Sequence, residues 1–134
     1  MKLVDVYDRL PHSTASLLSL LAERRPEESI SHKIIPDKIS HASFVLSRPY
    51  LAWYMIEVGG FWVGAIYLSH QREIGIGIFN ERRGNGYATK AIRLLMKKHP
   101  GKFLANINPA NQKSIDLFAK LGARHIQNTY EMQS

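Results

Sequence analysis

The stretch Glu73-Ile74-Gly75-Ile76-Gly77-Ile78-Phe79, followed closely by Arg83-Gly84-Asn85-Gly86-Tyr87-Ala88, decides how the rest of the chain is read. In an extended strand, alternate side chains share a face, so Ile74, Ile76 and Ile78 lie on one side. Glu73, Gly75, Gly77 and Phe79 then lie on the other. The isoleucine face is ordinary core. Two glycines on one face weaken a strand unless something approaches the backbone closely. A bulge or a tightly packed helix accounts for them, and so does a bound ligand.

The turn that follows favours a ligand. Gly84 and Gly86 permit positive φ and leave no Cβ in front of the backbone amides. Successive N–H groups in such a turn converge on an anion, and the start of a helix adds about half a positive charge. The helix itself is well marked. Ala88, Ala91, Ile92, Leu95 and Met96 make one apolar stripe, Lys90, Arg93 and Lys97 lie opposite, and Pro100-Gly101 ends it. Other phosphate loops fit poorly. A dinucleotide fingerprint needs glycine where Thr89 stands, and no Gly-Lys-Ser/Thr of a P-loop is present.

Upstream, Tyr50 to Val58 and Phe61 to Ser69 are β-branched and aromatic runs joined by Gly59-Gly60, a hairpin signal. The turn His70-Gln71-Arg72 leads into the strand Glu73–Phe79, which gives an antiparallel meander. Residues 2–8 read as a first strand. Ser13 or Thr14 is placed to cap a helix carrying Leu17, Leu18, Leu20 and Leu21 and ending before Pro26. A weaker helix runs from Pro36 to before Pro49, with Ile39, Phe44 and Val45 as its apolar side. Downstream, Lys102 to Asn108 reads as a strand and Asn111 to Leu121 as a helix closed by Gly122. Ala123 to Met132 supplies a last strand or strand pair. The order β-α-α-β-β-β-α-β-α-β is an α+β layout around a mixed sheet, one domain over residues 1–134.

Composition narrows the function. The 134 residues suit a single core, and with no Cys there is no thiol nucleophile, disulfide framework or thiolate metal site. Six histidines without metal-ligand spacing predict no metal. The N-terminus lacks the apolar core of a signal peptide, and the charge-free run Val58–Gln71 is too short to span a bilayer. A soluble, cytoplasmic protein with no membrane association is expected. The formal net charge is +7, and its excess lies in Arg82, Arg83, Lys90, Arg93, Lys97, Lys98 and Lys102, a segment with no acidic residue. That concentration beside an anion-sized turn points to a phosphorylated ligand rather than to nucleic acid.

Arg83-Gly84-Asn85-Gly86-Tyr87-Ala88 resembles the Gln/Arg-x-x-Gly-x-Gly/Ala signature of the GNAT (GCN5-related) N-acetyltransferases. Asn111-Gln112-Lys113-Ser114-Ile115-Asp116-Leu117-Phe118 followed by Gly122 resembles that family's second motif. The resemblance covers most of the chain. It implies a GNAT-like domain whose sheet is mostly antiparallel with one splayed parallel pair, Glu73–Phe79 and Lys102–Asn108. It implies acetyl-CoA as co-substrate, with its pantetheine arm between those strands, which would give Gly75 and Gly77 a reason. The cofactor set is Ile76, Ile78, Arg83, Gly84, Asn85, Gly86, Tyr87, Ala88, Asn111 and Phe118. Many members carry a Tyr at the position of Phe118 to protonate the CoA thiolate. Phe has no such proton, and Ser114, one turn earlier, or water could replace it.

Acetyl transfer to an amine needs a base, and Glu73 is the candidate, although an ion pair with Arg72 is the ordinary expectation for it. His70 is expected in an exposed turn. His41 lies on the helix that borders the acceptor in the family, and with Arg25 and Ser31 it forms the expected acceptor set. The acceptor is expected to be a small-molecule amine, an amino sugar or sugar nucleotide. The alternatives are a ribosomal-protein-type N-terminal acetyltransferase, a nucleic-acid-binding module and a catalytically inactive CoA-binding sensor. The oligomeric state is left open.

Overall fold

A computed structural model of the chain describes residues 1–24 and 35–134. Four strands, β1 (Lys2–Asp5), β2 (Ala52–Val58), β3 (Phe61–Leu68) and β4 (Ile74–Ile78), form an antiparallel sheet in the order β1-β2-β3-β4. Gly59 and Gly60, at φ +57° and +82°, turn β2 into β3 with the positive-φ pair that matches strand twist. Tyr67 stands opposite Gly75 in the β3–β4 register, and Ala65 opposite Gly77. The first strand is shorter than expected. The Asp5 carboxylate accepts the Tyr7 N–H at 2.9 Å, and Val6–Asp8 coil into a single 3-10 turn.

Helices cover both faces. Helix α1 (His12–Ala22) and α2 (Lys38–Leu46) bury Leu17, Leu20 and Val45 against Trp53, Met55 and Ala65. Helices α3 (Tyr87–Lys98) and α4 (Gln112–Lys120) bury Ile92, Leu95 and Phe118 against Ile56, Ile66 and Leu68. Two details depart from expectation. Ser13 does not cap α1 from outside. It is fully buried, and its hydroxyl donates to the Val6 carbonyl at 2.7 Å. Ile39 is 82% exposed rather than core. The Asp37 carboxylate caps α2 by accepting the Ser40 N–H at 2.7 Å, which sets the helix phase so that His41 and Val45, one turn apart, face inward.

After α3 the expected strand Lys102–Asn108 meets the sheet at one parallel bridge, Glu73 with Leu104. Ile74 N–H donates to the Leu104 carbonyl at 2.8 Å, and Leu104 N–H to the Arg72 carbonyl at 2.9 Å. Beyond that bridge no further ladder joins the two segments among the described residues, so the parallel pair is splayed from its first contact. Residues 123–132, expected as a last strand or pair, form none. Ile126, Tyr130 and Met132 stand in solvent. A strand needs a paired neighbour, and no strand among the described residues pairs with this segment.

Candidate active site

Backbone alternation on β4 builds the first part of the site. The Glu73 carbonyl and the Phe79 N–H bond to β3 and its flanks, at 2.8 Å to Ser69 and 2.9 Å to Val63. Ile74 N–H points the other way, to Leu104. By the two-residue period, Ile76 and Ile78 turn their amides and carbonyls to the same outer edge. That edge opens on a cleft of about 700 Å³ reaching from Glu73 to the start of α3 and the inner face of α4.

At the far end of the cleft, Gly84 and Gly86 adopt φ of +82° and +73°, and a Cβ at either would meet nothing within 4 Å. Their glycine requirement is therefore backbone conformation, not crowding. Gly86 caps α3 without a side-chain bond, which leaves the first-turn N–H groups of Tyr87, Ala88 and Thr89 without helical partners beside the cleft. Asn85 holds the turn from within, its amide donating to the Arg82 and Arg83 carbonyls at 3.0 and 3.4 Å. Arg83 Nε donates to the Ile78 carbonyl at 3.2 Å, tying the turn to the strand end. On the opposite wall Asn111 Oδ1 accepts the Ser114 N–H at 3.2 Å and caps α4. Ser114 and Phe118 follow one another along one face of α4 and both line the cleft.

On the other face of the sheet, α1 and α2 enclose a smaller pocket of about 240 Å³. Its walls are aromatic. Tyr50 stacks on Tyr67 at 3.7 Å with a 3° interplanar angle, and Trp53 meets Tyr50 edge-on at 4.8 Å. Burial, the neighbouring Tyr67 and a hydrogen bond to it push the Tyr50 hydroxyl far above its usual range, so it stays protonated. His41, 4% exposed, donates from Nε2 to the Thr14 carbonyl at 3.1 Å, since a carbonyl can only accept. Burial pushes its imidazole below 6.5, against a smaller opposing effect of that bond. Leu20, Arg24, Tyr67, Gly75, Ile76 and Gly77 border both cavities, which makes β4 the wall between them.

A glycine turn capping a helix beside the open edge of a splayed strand is the arrangement that the sequence motifs anticipate. A family model described as an acetyltransferase (GNAT) domain matches residues 24–124. The chain belongs to the GNAT acetyltransferases. No curated protein matches it. Solved structures share its fold at low identity. A domain from Methanocaldococcus jannaschii is 19% identical over 97% of this chain and 92% of its own, with a TM-score of 0.71. A spermidine N-acetyltransferase chimera from Vibrio cholerae and hSSAT is 15% identical over 91% and 81%, with a TM-score of 0.70. An N-acetyltransferase from Staphylococcus aureus is 18% identical over 94% and 83%, at 0.62.

In this GNAT chain the ten residues of the expected cofactor set all border the larger cleft. Glu73 and Ser114 do so as well, from opposite walls. His41 lines the smaller pocket, while Arg25 and Ser31 lie outside the described residues. His70 sits in an exposed turn, as read. Two expectations change. Arg72, at φ +68°, does not pair with Glu73. Its guanidinium donates to the Lys102 carbonyl at 2.9 Å and the His99 carbonyl at 2.6 Å and lies over Phe103, fastening the turn to the end of α3. The Glu73 carboxylate instead accepts from the Asn106 side-chain amide. Nor does the glycine face of β4 stand open. The Tyr67 ring fills the space a Gly75 Cβ would take, and Leu20 lies at contact distance, 3.4 Å, from that of Gly77.

Asn106 escapes a reading of the sequence. Tyr67 carries a usable signal, because counting back across the turn from Gly75 reaches it, and Arg24 falls in the basic stretch ahead of α2 where an acceptor site is expected. Among the described residues no three His, Asp or Glu side chains gather as a metal site, and no helix is long and apolar enough to cross a membrane.

Proposed function

We propose that the chain transfers the acetyl group of acetyl-CoA directly to a primary amine of a small molecule, within a ternary complex. The family uses acetyl-CoA, and the observation that supports direct transfer is the pair of cavities sharing β4 as a wall. The larger cleft fits the co-substrate. The open turn at Gly84 and Gly86, with the first N–H groups of α3 and Arg83, forms a cradle for a pyrophosphate. Ile76 and Ile78 offer edge N–H groups to an extended amide-bearing arm, and Ile78 N–H can polarise the thioester carbonyl. Asn111 and Phe118 close the other side.

Acetyl-CoA supplies the acetyl group as a thioester, and the protein manages the protons. Glu73 takes one proton from the acceptor's ammonium, directly or through water, which leaves a neutral nitrogen with a lone pair. The nitrogen bonds to the acetyl carbon as the C–S bond breaks. Ser114 or water gives the departing thiolate its proton, and the amide nitrogen loses its surplus proton to solvent. The net change is ammonium plus thioester to amide, thiol and one proton.

The acceptor we infer is an amino sugar, free or nucleotide-linked, of the branch that includes nucleotide-amino-sugar acetyltransferases; a ribosomal-protein-type peptide N-terminus is the second choice. A pocket of about 240 Å³ falls below the roughly 300–1,000 Å³ typical of drug-sized ligands. One sugar ring suits it, so a linked nucleotide would lie outside. Titration calorimetry with acetyl-CoA, then thiol release with glucosamine, UDP-glucosamine, spermidine and an alanine-terminated peptide, tests the reading. One-to-one binding and release with an amino sugar are expected. Absence of acetyl-CoA binding alongside salt-sensitive DNA or RNA binding would replace the enzyme with a nucleic-acid module.

A further inference from the structure

We propose that Asn106 is a positioning residue that aims the Glu73 carboxylate within the larger cleft, two residues from Gly75 in the wall shared with the smaller pocket; this rests on the acetyltransferase reading above. Glu73 sits at the point where the one parallel bridge, Glu73 with Leu104, gives way to the splay. Its backbone is pinned twice by Ser69, whose N–H donates to the Glu73 carbonyl at 2.8 Å and whose Oγ accepts the Glu73 N–H at 3.0 Å. Its side chain would otherwise be a long, half-exposed carboxylate with several rotamers of similar energy. Asn106, two residues past the bridge on the opposite lip, donates its Nδ2 to Glu73 Oε2 and removes that freedom.

The chemistry of the pair suits a base. An amide N–H can only donate and a carboxylate oxygen accepts, so the pair holds Glu73 in a form compatible with taking a proton. Asn106 neither donates nor receives a proton in the reaction. It occupies one carboxylate oxygen and leaves the other for the acceptor's ammonium. Both residues line the cleft, and their bond crosses its mouth where the two strand segments separate. A purely structural tie would not need to end on the one carboxylate of β4's glycine face.

The test uses the full chain, acetyl-CoA and whichever of glucosamine, UDP-glucosamine, spermidine or the peptide releases thiol fastest. Asn106→Ala is expected to lower kcat about tenfold while acetyl-CoA Kd and acceptor KM stay within twofold. Asn106→Gln, which keeps the donor, recovers part of the loss, and Asn106→Asp, which sets two carboxylates together, loses more than the alanine variant. In a Glu73→Gln background Asn106→Ala has no further effect. An equal kcat loss in both backgrounds, or none in either, overturns the proposal. A Glu73→Gln enzyme with full kcat removes Glu73 as the base and this role with it, yet leaves acetyl transfer standing. Wild-type protein that releases no thiol with any acceptor instead ends the acetyltransferase reading.

Discussion

The two sides of β4 are built by different means. On the side of the larger cleft, proposed for the donor, the groups on offer are mostly backbone atoms of neighbouring residues: the turn through Gly84 and Gly86, the first amides of α3 and the outer edge of Ile76 and Ile78. On the side of the smaller pocket, proposed for the acceptor, they are side chains from four separate segments, with Leu17, His41, Tyr50 and Tyr67 brought together only by packing α1 and α2 on the sheet. An anion can be held by successive N–H groups, so its site can be written in a few consecutive residues. A small amine is distinguished by shape, and shape needs tertiary contacts. Substitutions should therefore act through backbone conformation on one side and through volume on the other.

The largest effect should fall at Glu73, in the larger cleft and two residues from the shared wall at Gly75. Glu73→Gln keeps size and the bond from Asn106 but cannot take a proton. Steady-state kinetics should show kcat reduced roughly a hundredfold, the low end for loss of a general base. Calorimetry should show acetyl-CoA affinity unchanged, and a matching loss of affinity would make Glu73 a donor-side residue instead. Next is a pair of glycines. Gly84→Val places a β-branched residue at φ +82° in open space, a backbone strain of roughly 1–2 kcal/mol. Acetyl-CoA affinity should drop about tenfold with acceptor KM preserved. Gly75→Ala has an ordinary φ but sets its methyl against the Tyr67 ring. Acceptor KM should rise severalfold, and acetyl-CoA Kd should change by less than twofold. If both variants altered the same constant, the division between the sides would be wrong.

The same division explains what could be read in advance. The Gly59-Gly60 hairpin, the apolar stripe of α3, the Gly84–Gly86 turn and the Asn111 cap are local, each settled by residues within a turn or two. Tyr67 behind Gly75 was within reach, since both flank one short connection and the register follows by counting. Asn106 beside Glu73 was not, because it requires the parallel register of segments joined by α3. Ile39 misled because the Asp37 cap, not the count of apolar residues, sets the rotation of α2. The alternation of Phe103, Ala105 and Ile107 resembles a strand, and all three are half-buried. Burial alone does not make a ladder when the neighbouring edge diverges.

The smallest effect concerns acid. His41 lines the smaller pocket, and burial holds its folded-state pKa below 6.5. The unfolded chain then binds more protons than the folded one between those two values, so stability rises with pH across that window. The contribution is complete above about pH 6.5 and fades as pH falls toward the depressed folded value. His99 adds in the same direction, lowered by burial and then by Arg72 and Lys98. Thermal melts between pH 7.5 and 5 should show the midpoint falling in wild type and falling less in His41→Gln, with His99 as the remainder. Protonating His41 also breaks into the pocket wall rather than the phosphate turn. Acceptor KM should accordingly worsen on acidification before acetyl-CoA affinity does, and the reverse order would show that the two cavities are not energetically separate across β4.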